Sequence, residues 1–180
     1  MTRPILALAL ILVHAPAAAP TPPAKLAYEP PPELMLVLTA ILDAARQYGV
    51  DPMLAFNVAY AESTLKPWAI ARRWREVGGK MVRIVTARGL MQINPKYQDE
   101  LVAKLLGWHP SHFDWRNPVH SAKLGCAMLA DFVKRYNGSR EYACVAFNSG
   151  PFWADLSIRA PAVPLKMDTK KYLADIFGRA

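Results

Sequence analysis

The sequence has little cysteine, an excess of basic over acidic residues, and no apolar run long enough to span a membrane. Only Cys126 and Cys144 occur in 180 residues, which excludes a disulfide-dense scaffold. The four histidines lack zinc-type spacing to these cysteines, so neither a metal nor another cofactor is expected. Hydrophobic residues make up 53% of the chain and charged residues 20%, a composition typical of a globular protein and not of a disordered one.

The N-terminus has the pattern of a secretory signal. Arg3 precedes the nine-residue apolar run at 5–13, and three alanines at 17–19 offer a cleavage site. Nine apolar residues are far fewer than the roughly 20 that span a bilayer, although an uncleaved anchor or a disordered tail stays open. We predict a signal peptide at 1–19, a proline-rich linker at 20–32 and one domain at 33–180. The mature protein is then periplasmic or extracellular and has no stable membrane span.

The helical periodicity and the turn residues predict a mainly α fold with one small β-hairpin. A cap followed by proline opens one helix at Asp51-Pro52 and another at Asn117-Pro118. β-Prone runs on both sides of Gly78-Gly79 indicate the hairpin. The helices are predicted at 33–48, 52–64, 118 to about 137, 140–147 and 169–177.

Glu62 lies in the last turn of the second predicted helix, which is apolar on nearly all sides and is expected to be buried and central. Burial and the negative end of the helix dipole both disfavour a charged carboxylate, so they raise its pKa toward the value that a general acid needs. On position alone, the sequence favours the alternative, a solvated glutamate at a frayed helix end.

The residues that accompany Glu62 decide between these interpretations. Glu62 is part of an ordered series: Glu62-Ser63, Gly89-Leu90-Met91-Gln92, Asn117-Pro118, Gly125, the run AFNSGP at 146–151, Asp168-Thr169 and Tyr172. This series resembles the soluble lytic transglycosylase (SLT) domain, a lysozyme-like α+β family, over nearly all of residues 33–177.

The resemblance implies cleavage of the β-1,4 bond between N-acetylmuramic acid and N-acetylglucosamine in peptidoglycan strands. Glu62 would protonate the glycosidic oxygen and then act as a base while the 6-hydroxyl closes a 1,6-anhydro ring. No second carboxylate is required, because the substrate acetamido group is thought to assist. Glu76, the one other acid between Glu62 and Asp99, is expected to be an exposed hairpin residue.

The resemblance also implies roles for five further residues and counts a sixth, Phe147, among the substrate-binding positions. Ser63 and Gln92 would bind substrate or support the cleft, Met91 would pack along the sugar or fill the core, and Asn148 would hold its loop or bind sugar. Tyr172 would orient Glu62. Phe147 replaces a tyrosine usual in the family, and Asp168 replaces a usual glutamate.

The function has several open alternatives. The site residues favour a lytic transglycosylase with Glu62 at the floor of a groove, but a hydrolytic muramidase and a non-catalytic wall-binding assembly protein also fit. The long segment at 71–88 is similar to that of transglycosylases serving secretion or conjugation machineries. Cys126 and Cys144 fit a disulfide and two buried thiols equally well.

The net charge of +8 suits an anionic partner such as cell-wall polymer, lipid or nucleic acid. Nucleic acid is not expected, since no binding module is recognised. Six basic residues lie between 72 and 88, either as a solvated face or to attract the carboxylates of peptidoglycan stem peptides, with Trp74 as a flat surface for a sugar.

Overall fold

The first two helices begin and end where the sequence places their caps. The computed structural model describes residues 30–178. Helix α1 spans Pro32–Tyr48 and ends at Gly49, which adopts the left-handed conformation. Helix α2 spans Pro52–Ser63, and the Asp51 carboxylate caps it by accepting hydrogen bonds from the backbone N–H groups of residues 53 and 54 at 2.8 and 3.3 Å. Helix α1 therefore begins one residue before the predicted start at 33.

The remaining helices include two that the sequence pattern did not indicate. The missed helices are α3, Pro95–Leu101, which continues into a π-helical turn, Val102–Leu106, and α6, Pro151–Arg159. Asn94 caps α3 and Pro151 starts α6, so both have start signals but are too short for clear periodicity. The others are a 3₁₀ turn at Pro110–His112, α4 at Pro118–Arg135, α5 at Arg140–Ser149 and α7 at Met167–Phe177.

One antiparallel hairpin joins α2 to the segment that precedes α3. Strand β1, Ile70–Val77, pairs with β2, Lys80–Arg88. Gly78 and Gly79 form the two-residue turn with φ of +58° and +75°, the conformation that matches strand twist and favours glycine. The predicted hairpin is therefore confirmed, and with the helices it gives the lysozyme-like α+β fold.

The main core surrounds α2. Helices α1 and α7 pack beside it and α4 packs against α1. The side chains of Ile41, Val58, Leu124 and Leu129 are at most 1% exposed. Each such side chain stabilises the fold by about 1.5–3 kcal/mol relative to an exposed one. A smaller cluster of Tyr136, Val145, Ala146 and Ala154 joins α5 and α6.

The predictions for the N-terminal segment lie outside the part of the chain that the structure describes. This applies to the signal peptide at 1–19 and to nearly all of the linker. Within residues 30–178, no helix combines the length and the apolar character needed to cross a bilayer.

Candidate active site

Glu62 lies at the end of the buried helix, next to a sharp change in chain direction. Thr64 and Leu65 follow it with φ of +51° and +61°, so the chain leaves α2 in the left-handed region. The Glu62 side chain is only partly exposed. Burial raises its pKa to about 7, and a weaker opposing influence comes from the Tyr172 hydroxyl. The carboxyl group is therefore divided between its acid and base forms near neutral pH.

Tyr172 is the group that faces Glu62 from helix α7. Its hydroxyl oxygen is buried and makes no hydrogen bond of standard geometry to any described residue. It is nevertheless close enough to the carboxyl group for hydrogen bonding to lower the pKa of Glu62. Burial, together with the influence of the Glu62 carboxyl group, holds the pKa of Tyr172 well above its usual value. Tyr172 is thus a neutral hydroxyl beside the Glu62 carboxyl group.

A partly buried amide holds together the two helices that carry this pair. The side-chain N–H of Asn57 on α2 donates to the backbone carbonyl of Ile176 on α7 at 2.9 Å. At the start of α2, Arg140 on α5 forms a 2.7 Å ion pair with Asp51, the helix cap. We did not predict a role for Asn57; the available signal was a lone amide within an otherwise apolar helix.

Ser63 and Gln92 direct their donors into the protein. The Ser63 hydroxyl is buried, donates to the carbonyl of Ala59 at 3.1 Å and accepts from the backbone N–H of Lys66 at 3.2 Å. The Gln92 amide donates to the carbonyls of Ala69 and Gly89 at 3.1 and 2.9 Å. Of the two roles predicted for these residues, the observed bonds fit support of the cleft.

The segment from Gly89 to Gln92 is packed too tightly for Met91 to reach a sugar. Met91 is 0% exposed. A Cβ atom at Gly125 on α4 would lie 2.5 Å from the Met91 side chain, and one at Gly89 would lie 2.7 Å from the carbonyl oxygen of Trp115. Met91 thus fills the core in this structure, which favours core filling over packing against substrate.

The end of α5 is tied to the start of α7 by side chains. The hydroxyls of Ser149 and Thr169 lie 2.7 Å apart. The exposed Asn148 accepts from Ser149 at 3.0 Å, which fits the predicted loop-holding role and leaves the residue accessible. Phe147 is partly buried against the main core, so the apolar ring that replaces the family's usual tyrosine has a packing role.

Comparison with known proteins agrees with this arrangement. A family model described as the transglycosylase SLT domain matches residues 39–160. The chain belongs to that family. A similar solved structure is the inactive E503Q mutant of lytic transglycosylase Slt from Pseudomonas aeruginosa, at 20% identity and a TM-score of 0.59. The match covers 77% of this chain and 22% of that one, so it shows a shared fold over about a fifth of the larger protein. The comparison with curated proteins gives no match.

This SLT domain has two free, buried thiols. Cys126 and Cys144 are not bonded to each other, so the disulfide left open by the sequence is absent from the structure. Burial raises the pKa of each thiol to about 12, which keeps both neutral at physiological pH. Among residues 30–178, no group of three or more His, Cys, Asp or Glu side chains is placed to hold a metal ion.

Two other acids of the SLT domain could act as partners of Glu62, and both lie on exposed positions. Glu76 is exposed on β1, as predicted, and Asp168 is exposed in the first turn of α7. Within the described residues, no carboxylate contributes to the pKa shift of Glu62, which comes from burial and Tyr172. Of these three acids, Glu62 alone is partly buried.

Proposed function

We propose that this SLT domain is an exported lytic transglycosylase that cleaves the β-1,4 bond between N-acetylmuramic acid and N-acetylglucosamine in peptidoglycan. Glu62 is the catalytic acid and base, and the product ends in a 1,6-anhydro-muramyl residue. The observation that carries the proposal is the Glu62 carboxyl group, with a pKa of about 7, at the end of a buried helix.

The reaction uses the two forms of this carboxyl group in turn. Protonated Glu62 gives its proton to the glycosidic oxygen as the bond to the anomeric carbon breaks. The substrate acetamido oxygen stabilises the developing positive charge at that carbon. The Glu62 carboxylate then takes the proton of the 6-hydroxyl, whose oxygen attacks the anomeric carbon and closes the ring. The carboxyl group is protonated again, and no water is consumed.

A near-neutral pKa suits both steps, because a much lower value would leave too little acid and a much higher one too little base. Tyr172 is placed to hold the carboxylate form between the steps, since its hydroxyl stays a donor at all physiological pH values. Asn57 keeps the helices of the two residues in register.

The exposed positions of Glu76 and Asp168 support this route over hydrolysis. A two-carboxylate glycosidase places its second acid across the scissile bond at a defined separation. Neither residue influences Glu62, so no observation favours the hydrolase. A purely wall-binding protein would not need an acid with a raised pKa at this position.

The test is digestion of purified peptidoglycan with the protein and with Glu62→Gln, followed by mass spectrometry of the released muropeptides. We expect anhydro-muramyl products from the unchanged protein and a loss of at least a hundredfold in the variant. Products heavier by one water would mean a hydrolase. Wall binding by both proteins without product would mean a binding protein. Export is tested separately, by locating the full chain and a variant lacking residues 1–19.

A further inference from the structure

The β-hairpin extends from the domain with both faces in solvent. Every residue from 71 to 83 is exposed. Strand β1 has eight residues and is therefore roughly 26 Å long, at about 3.3 Å per residue. A two-stranded hairpin without a packed face is marginally stable in water. Such a long exposed element buries little apolar surface and so does not stabilise the core, which favours a binding role.

The base of the hairpin is part of the candidate active site. β1 begins seven residues after Ser63, and β2 leads directly into the Gly89–Gln92 segment. The N–H of Gly89 donates to the carbonyl of Ala69 at 2.9 Å, and the backbones of Arg88 and Ile93 exchange two hydrogen bonds at 3.0 and 3.1 Å. A ligand that lies along the hairpin therefore meets the candidate site at the hairpin base, close to Glu62.

The strand register separates the exposed side chains into two faces of different charge, since residues directly opposite each other project on one side. Arg73, Arg75 and Lys80 share one face with Val77, Val82 and Ile84. We call this the cationic face, because it has three positive charges and no acid. The opposite face has Arg72, Trp74, Glu76, Met81, Arg83 and Val85. It has one fewer basic residue and also carries an acid.

The basic side chains of the hairpin are available for a partner, except that of Arg88, which donates to Gln98 at 3.0 Å and lies over the Trp115 ring. Within the described residues, the ion pairs formed are Arg46–Asp43, Arg135–Asp155 and Arg140–Asp51, so none involves the hairpin. On the cationic face, Arg73 and Arg75 are two residues apart along one strand, or roughly 7 Å. Each presents a planar fork that binds a carboxylate through two hydrogen bonds.

We propose that the cationic face binds the carboxylates of the peptidoglycan stem peptide, so that peptide-bearing glycan is preferred to bare glycan. This inference rests on the proposed function. The stem peptide is attached to the muramyl residue at the cleaved bond, so it must leave the glycan next to Glu62, where the hairpin begins. It is an anionic chain with separate carboxylates, which matches arginines spaced along a strand.

The hairpin tip disfavours a lipid surface as the partner. Membrane insertion would need an apolar tip, whereas Val77 and Met81 alternate there with Glu76 and Lys80. The Glu76 carboxylate would be repelled by anionic headgroups. A peptide lying on the cationic face avoids Glu76, because that residue projects from the opposite face.

The experiment compares two charge-matched pairs in the full chain. Arg73→Gln with Arg75→Gln removes two charges from the cationic face, and Arg72→Gln with Arg83→Gln removes two from the opposite face. Each pair is combined with Glu62→Gln, so that binding is measured without digestion. Circular dichroism checks folding. The probes are intact sacculi freed of secondary polymers, glycan strands stripped of peptides by an amidase, and vesicles containing anionic phospholipid.

We expect the cationic-face pair to weaken binding to intact sacculi about tenfold, which corresponds to about 1.4 kcal/mol, and the opposite pair about twofold. The two pairs should bind peptide-free strands equally. Equal losses from both pairs on sacculi, or an equal loss on peptide-free strands, would overturn the proposal. So would unchanged binding or a selective loss on vesicles. Since the readout is binding, failure to form anhydro products would count only against the proposed reaction.

Discussion

The side-chain amide of Asn57 bridges helix α2 to helix α7 through a 2.9 Å hydrogen bond to the carbonyl of Ile176. Glu62 lies five residues further along α2, and Tyr172 lies four residues earlier on α7. The bond thus fixes the relative position of the two helices close to the Glu62–Tyr172 pair. We regard Asn57 as a positioning residue, since nothing places it in contact with substrate.

Asn57→Leu keeps the approximate size of the side chain but leaves the Ile176 carbonyl without its donor. We expect the free energy of unfolding to fall by about 1–2 kcal/mol, since an unsatisfied buried acceptor costs about this much. Muropeptide release should fall about tenfold, mainly in kcat, because the pair is misaligned. Denaturant unfolding and steady-state assays measure the two effects.

The control for Asn57→Leu is Asp43→Ala, which removes one partner of an exposed ion pair with Arg46. Asp43→Ala should change neither the free energy of unfolding nor muropeptide release measurably, since exposed ion pairs contribute little to stability. A shifted pH profile in Asn57→Leu would support the positioning role. An equal loss of stability with full activity and an unchanged profile would mean that the bond is only structural.

The raised pKa of Glu62 makes both activity and stability depend on pH. Its folded pKa of about 7 exceeds the ordinary glutamate value of 4.5, so the folded protein holds this proton more tightly than the unfolded chain. The stability associated with the neutral group is therefore present below pH 4.5 and is lost as pH rises to about 7. The protonated form needed for the first step also declines above pH 7.

Glu62→Gln removes this titration and keeps a neutral side chain. We expect it to be about 2–3 kcal/mol more stable than the unchanged protein at pH 8, given about 1.4 kcal/mol per pKa unit and some solvent access. Near pH 4 the difference should largely disappear. Denaturant unfolding at several pH values measures it, and a difference that does not vary with pH would contradict the shifted pKa.

Tyr172→Phe tests the second member of the pair. Its hydroxyl lowers the pKa of Glu62, so its removal should raise that pKa and move the alkaline limb of the activity profile to higher pH. Stability should change by less than about 1 kcal/mol, because the hydroxyl is buried without a standard hydrogen bond and its loss leaves a small cavity. An unmoved alkaline limb would show that the two groups are not coupled.

The elements that could be predicted from the sequence are those with strong local signals. Asp51-Pro52 and Gly78-Gly79 fix a helix start and a turn through backbone chemistry, and both are confirmed. Helices α3 and α6 were missed because they have only seven and nine residues, too few for a clear helical pattern of apolar residues. In the site, the helix and the raised pKa of Glu62 followed from its apolar neighbours.

The roles of the surrounding polar and sulfur-containing residues could not be predicted in the same way. Ser63, Gln92 and Met91 direct their functional atoms inward, which depends on contacts between distant segments. The state of Cys126 and Cys144 likewise depends on their separation in space. The Asn57–Ile176 bond joins residues 119 positions apart, and no local pattern specifies it.

Gly125 on α4 permits the close approach of the Met91 segment. A Cβ at Gly125 would lie 2.5 Å from the Met91 Cε and Cγ atoms and 2.8 Å from its Cβ, so the helix and the segment cannot both keep their positions. Gly125→Ala should reduce the free energy of unfolding by about 1–3 kcal/mol despite the higher helix propensity of alanine. Activity should fall as well, since the displaced segment carries Gln92 and adjoins the hairpin base.

The matched test of that cause is a double-mutant cycle with Met91→Ala, which creates space in the core and costs about 2–5 kcal/mol alone. If the steric overlap is the reason, Gly125→Ala should cost much less in the Met91→Ala background. The coupling would then be at least about 1 kcal/mol. Strictly additive effects on thermal and denaturant unfolding would show that Gly125 serves α4 in another way, because the overlap would no longer explain its cost.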